Sequence, residues 1–218
     1  MGAIARSAAN LITTSGVVLK GAVNNDSFDN VTALPSSLGD DITLISSQTA
    51  SASASLSFTT GIDSTYKAYK FVFVNVHPGT DNVTFQFNAS SDGGSSYNVT
   101  KTTTWFRAYQ GESGSPAALG YDTADDLAQG TGFQTIFTAL GGGSADESGS
   151  GTLTLYNPSS TTFVKHFIAD GNEYHVSDLT INIFAAGYMN TTSAVNAIQF
   201  KMSSGNIDAG TFYLYGIK

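Results

Sequence analysis

Ser203-Ser204-Gly205-Asn206 leads, four residues later, into Thr211-Phe212-Tyr213-Leu214-Tyr215-Gly216-Ile217. The first four residues are turn formers. The seven that follow are mostly aromatic and β-branched, the side chains that fit a pleated surface. The run reaches within one position of the last residue, where chains fray unless something holds them. It predicts a closing strand paired inside a sheet, and therefore a sandwich completed by its C-terminal strand.

Working back from that strand, period-two patterning extends to Asp41. In Val83-Thr84-Phe85-Gln86-Phe87 apolar and polar residues alternate, as they do in Leu153-Thr154-Leu155 and Leu179-Thr180-Ile181-Asn182-Ile183. Alternation of this kind marks strands with one wet face. Further strands are predicted over 42–46, 54–60, 68–76, 96–109, 133–140, 162–169 and 197–202. The run 67–76 (KAYKFVFVNV) is apolar on both faces at its middle and is placed centrally. Ser91-Asp92-Gly93-Gly94-Ser95 and Asn157-Pro158-Ser159-Ser160 stand between strands as turns. Gly141 to Gly149 reads as a flexible linker. Gln110 to Gly132 reads as a long loop, with one helical turn over 124–129 capped by Thr123. About eleven short strands without a long helix predict an all-β fold, an antiparallel, jelly-roll-like β-sandwich over residues 41–218. Residues 1–40 carry no sustained period beyond a short helical stretch near Ala3–Leu11 and read as an extended N-terminal arm.

Composition agrees with strands and turns. Charged residues make up 12% of the 218, roughly half the usual share. Ser and Thr together supply roughly a quarter, and there are 23 Gly. Net charge is −8, and the nine Lys and Arg form no cluster, which excludes nucleic acid as a partner on electrostatic grounds. No apolar run is long enough for a membrane-spanning helix, so no membrane insertion is expected. There are no cysteines, which excludes disulfides and thiolate metal sites.

Three segments carry a resemblance. They are Gly205 to Ile217 (GNIDAGTFYLYGI), the hairpin Phe87 to Tyr97 (FNASSDGGSSY), and Asn24 to Leu34 (NNDSFDNVTAL). Together they resemble small virion surface proteins of tailed bacteriophages, such as capsid decoration or tail-fibre components. The resemblance implies a structural protein at the virion surface, held by its arm to other virion proteins of the capsid or tail, and self-associating as a homo-oligomer. Within the arm, Asn24, Asn25, Phe28, Val31 and Leu34 are the expected partner-binding residues.

The chemistry-bearing residues point the same way. His77, His166 and His175 lack helical metal-ligand spacing. His175 and Asp178 could form half of a triad, but no Gly-x-Ser-x-Gly elbow is present. The acids Glu112, Asp122, Asp125, Asp126, Asp146 and Glu147 fall in loops, where solvated carboxylates are the ordinary outcome. Asp92, or Asp122 with Asp125 and Asp126, could bind calcium, yet no Asp-x-Asp-x-Asp-Gly loop occurs. No catalysis, cofactor or metal is therefore expected. The alternative function is recognition of a host surface glycan, for which Trp105, Tyr109 and Tyr121 beside the long loop, where Phe106 also lies, are the candidate contacts. The competing assignment for these aromatics is the core or a subunit interface.

Overall fold

A computed structural model describes residues 41–218; the arm candidates Asn24, Asn25, Phe28, Val31 and Leu34 and the helical stretch 3–11 lie outside the described residues. The described residues form twelve strands: β1 (Ile42–Thr49), β2 (Leu56–Phe58), β3 (Ala68–Pro78), β4 (Val83–Ser90), β5 (Lys101–Gly111), β6 (Ala117–Tyr121), β7 (Gln134–Leu140), β8 (Gly149–Tyr156), β9 (Lys165–His175), β10 (Leu179–Met189), β11 (Ala197–Met202) and β12 (Ile207–Ile217). Every pairing between them is antiparallel.

Eight of the strands nest. β1 pairs with β12, β2 with β11, β3 with β8 and β4 with β7. Cross-links between β12 and β3 and between β11 and β4 complete two four-stranded orders, β1-β12-β3-β8 and β2-β11-β4-β7. First-with-last nesting of this kind, rolled into two facing sheets, is the jelly roll. The other four strands are two insertions, β5–β6 between β4 and β7, and β9–β10 between β8 and β11. β9 adds to the free side of β8, β10 to β9, β5 to β10 and β6 to β5. The first sheet thus runs to eight strands, and its added half, β9-β10-β5-β6, forms a wing. A single pair, Leu140↔His175, ties β7 to β9 and brings the two sheets together at one corner.

Alternation decides which side chains fill the space between the sheets. Tyr69, Phe71 and Phe73 of β3, Phe85 and Phe87 of β4, Phe137 of β7, Phe200 of β11 and Phe212 of β12 are all fully buried. Their rings meet edge-on, tilted or stacked, with Phe73–Phe85 at 5.3 Å, Phe71–Phe200 at 5.4 Å and Phe200–Phe212 at 5.4 Å. Such contacts add to area burial. Phe137 fits only because β8 and β9 carry glycine opposite it. A Cβ on Gly149 would lie 2.5 Å from its ring and one on Gly171 2.9 Å.

β12 occupies the place that the sequence assigns to it. It lies between β1 and β3, with Phe212 and Leu214 buried. Its register slips around Ala209, where Gly210 takes φ +132° close against the Asn75–Val76 backbone. β3 is central, between β12 and β8, but its outer face is partly open, with Val74 exposed. Two loop expectations need correction. The stretch 110–132 contains β6, and 124–129 is not helical: Asp122 accepts the Ala124 N–H, and the backbones of Leu127 and Gly130 bond to Thr103 and Lys101 of β5. The Gly141–Gly149 segment is pinned rather than free, with Gly142 N–H donating to Asp81, Ser144 N–H to Glu147, and Gly141 N–H to the Tyr174 carbonyl.

Candidate functional site: the two faces of the inserted wing

Strand alternation gives the wing one face toward the core and one toward solvent. On β5, residues 101, 103 and 105 point inward, so Trp105 is fully buried. This corrects its assignment as a glycan contact, because the indole reaches no surface. Tyr109 also belongs to the inner face, half-buried, with the Arg107 guanidinium 5.8 Å from its ring centre. Of the three predicted contacts, Tyr121 alone is on the outer face and exposed.

The inner face holds a polar cluster under the loop that follows β6. Arg107 lies 5.6 Å from the Trp105 ring centre, pairs with Asp122 at 3.2 Å and donates to Thr138 Oγ1. Glu173 of β9 is almost wholly buried. One carboxylate oxygen accepts the Thr138 N–H at 3.1 Å, and the other has no partner among the described residues. Burial drives its pKa well above the ordinary range, and the Thr138 bonds and Arg107 only partly oppose this. Asp125 is raised too, first by burial. Gln134 of β7 reaches across to the Asp125 carbonyl. The cluster joins β5, β7, β9 and the loop; it ties the wing to the second sheet.

Two lysines on the same inner face are also buried, Lys101 and Lys165, on either side of Met189 in one cross-strand row. Neither has a carboxylate partner among the described residues. Lys101 Nζ donates to Asn88 Oδ1 at 2.5 Å and to the Val99 carbonyl at 2.8 Å; burial brings its pKa down to about 8. Lys165 Nζ donates to the carbonyls of Phe163 and Thr191. Each ammonium staples loop backbone in place.

The outer face is different. Across it runs the row Tyr121–Phe106–Phe184–Asp170, set by the registers of β6, β5, β10 and β9. Phe106 and Phe184 stack at 5.3 Å and 14°. Leu119, Ala108 and Asn182 form the next row, and Thr104, Ala186 and Ile168 the row on the other side. Leu119, Tyr121, Phe106, Phe184 and Ile168 are all exposed. Beside them is an open groove of about 390 Å³ lined by Thr102, Thr104, Tyr156, His166, Ile168 and Tyr188. Its floor is Gly187, which approaches β5 so closely that a Cβ would lie 2.4 Å from the Thr102 carbonyl oxygen. Sequence reading names Phe106 among the aromatics flanking the long loop and misses Phe184. The signal was present: with Trp105 assigned inward, period two sends Phe106 outward, and Phe184 follows from its register partner.

The remaining candidates hold local structure. His77 Nδ1 lies 2.6 Å from the Glu147 carbonyl oxygen, and His166 packs against Tyr188. His175 Nδ1 accepts the Ser177 N–H, while Asp178 accepts the Tyr174 hydroxyl, so these two side chains are not joined as a triad would require. Asp92 accepts from Ser90 Oγ and Ser96 N–H, bonds that close its turn and lower its pKa. Asp126 bonds the Tyr121 hydroxyl. Among the described residues, no three acids or histidines gather as a metal site would need. In comparisons with known proteins, no family model, no curated protein and no solved structure matches the chain.

Proposed function

We propose that the protein is a non-enzymatic structural component of a phage virion, anchored through its N-terminal arm to the capsid or tail and displaying the β-sandwich outward. The observation that carries this reading is the outer face of the wing. A wet sheet face has no need of Phe106, Phe184, Leu119 and Ile168 for folding, and a contiguous apolar face marks a contact surface. The resemblance of the closing strand, the 87–97 hairpin and the 24–34 segment to virion surface proteins supplies the context. Deleting residues 1–35 is expected to leave a soluble folded sandwich that no longer joins particles. A truncated protein that still assembles would contradict the proposal.

A second reading, recognition of a host surface glycan, is favoured by the groove beside that face. Tyr156, Tyr188 and the Thr102 and Thr104 hydroxyls offer ring surfaces and hydrogen-bonding groups together with little charge. Tyr188→Ala is then expected to abolish binding to host cells or to an immobilised glycan while leaving the circular dichroism spectrum unchanged. Unchanged binding would dismiss this reading.

A further inference from the structure

We infer that the free edge of β6 is a self-association site, where a second copy adds its own β6 antiparallel across a two-fold axis centred on Leu119. All five β6 residues, Ala117-Ala118-Leu119-Gly120-Tyr121, are exposed, and the strand pairs only with β5 among the described strands. Proteins usually guard such an edge with charge, a bulge or a covering segment. β6 has no charged residue, and its register with β5 runs without a slip from Phe106↔Tyr121 to Gln110↔Ala117.

The hydrogen-bond phase makes this edge self-complementary. Asp122 N–H donates to the Trp105 carbonyl and Gly111 N–H to the Pro116 carbonyl. Even-numbered residues therefore turn their backbone groups toward β5. The N–H and C=O groups of Ala117, Leu119 and Tyr121 point the other way, to the open edge. With the axis on Leu119, Leu119 meets its own copy and Ala117 meets Tyr121 of that copy. About six backbone hydrogen bonds result, all of the closely spaced antiparallel kind.

Electrostatics permits the pairing. Asp122, which follows β6 in the chain and pairs with Arg107, falls opposite Pro116 of the second copy, and Asp126 is engaged by the Tyr121 hydroxyl. The two Asp122 residues stand six strand positions apart, about 20 Å at ~3.4 Å per residue, well beyond the screening length of ~8 Å. The axis is perpendicular to the sheet, so both outer faces stay on one side. Tyr121 and Leu119, 53% and 75% exposed in one copy, are covered by their counterparts, and the Phe106–Phe184 strip continues into the second wing. Leu119 and Tyr121 are the large apolar side chains this pairing covers, while Phe106, Phe184 and Ile168 stay on the open face.

The test uses the full chain. In sedimentation equilibrium the wild type is expected at roughly twice 22.7 kDa. Leu119→Pro removes only an edge-facing N–H, so β5–β6 bonds survive, and it is expected to give a folded monomer. Leu119→Lys, which places two like charges at the axis, provides the same result without a backbone change. Because the chain has no cysteine, Leu119→Cys is expected to oxidise to a covalent dimer; an antiparallel pair of this kind places its Cα atoms ~5.5 Å apart, within disulfide reach. A monomeric wild type at ~100 μM, a dimer that persists in both Leu119→Pro and Leu119→Lys, or a Leu119→Cys protein that forms no cross-link would each overturn the inference. None of these results bears on whether the arm docks on particles, so the proposal on virion anchoring stands or falls separately.

Discussion

At the scale of single residues, Glu173 is a buried acid whose protonation is tied to folding. Its carboxyl is buried with one oxygen unpartnered among the described residues, and burial raises its pKa in the folded state. The unfolded chain releases that proton near the ordinary value of 4.5. The group's contribution to stability is therefore complete below that value and is lost as pH rises through the folded pKa. Asp125 acts in the same direction. Asp63 and Asp92, whose pKa values are lowered, act only below 3.8, and Lys101 acts from about 8 upward. Above the ordinary carboxylate range the wild-type melting profile carries a downward slope with rising pH from Glu173 and Asp125, opposed below 6.5 by His175, whose pKa burial lowers. Glu173→Gln should flatten that slope and melt several degrees higher than wild type near neutral pH, about 1–2 kcal/mol at ~4 °C per kcal/mol. A parallel pH profile in the variant would contradict this account of the carboxyl.

Residues 105 and 106 provide a paired test of face assignment. Trp105→Ala empties a fully buried site and is expected to cost about 3–5 kcal/mol in chemical denaturation. Phe106→Ala, on the open face, is expected to cost about 1 kcal/mol or less. Comparable losses at the two positions would mean that the faces are misassigned.

At the scale of elements, β12 is held on both sides, by β1 and β3, along most of its length, and contributes Phe212 to the aromatic core. Removing residues 211–218 deletes the strand that joins β1 to β3 and is expected to leave an unfolded or aggregated chain by circular dichroism. A folded truncation product would show that β12 is an accessory. This element was legible in the sequence because it combines strand formers with a turn in front, and so were the alternating strands of the framework. β6 was not legible. Ala117-Ala118-Leu119-Gly120-Tyr121 has low strand propensity, lies between two loops and buries nothing of its own. Its conformation is imposed by the β5 edge, an interaction with no local signature. The wing's outer face was half legible for the same reason: Tyr121 stood out as an aromatic, but Phe106 and Phe184 acquire meaning only when β5 and β10 are aligned. The pinned 141–149 segment was misread because the glycines suggested freedom, while Asp81, which holds Gly142, is sixty-one positions away.

At the scale of the whole molecule, the nested pairing of eight strands explains how a chain with few charges and no cysteines holds one aromatic core, and the two insertions explain where its spare apolar surface comes from. The wing is built on the free side of β8 and meets β7 through its inner face, so its outer face can serve contacts without weakening the core. That face depends on the roll being closed, and the most diagnostic closure is β2 against β11. Ser57 and Gln199 are register partners there, 142 positions apart, with Gln199 Nε2 2.9 Å from Ser57 Oγ. The most direct measurement is oxidation of the Ser57→Cys, Gln199→Cys double variant, read by thiol titration and by mass spectrometry of a protease digest. The nested topology predicts a near-quantitative intramolecular disulfide in the folded protein, with thermal stability equal to or above that of the reduced form. Free thiols that persist under oxidising conditions in a folded protein would contradict the jelly roll itself.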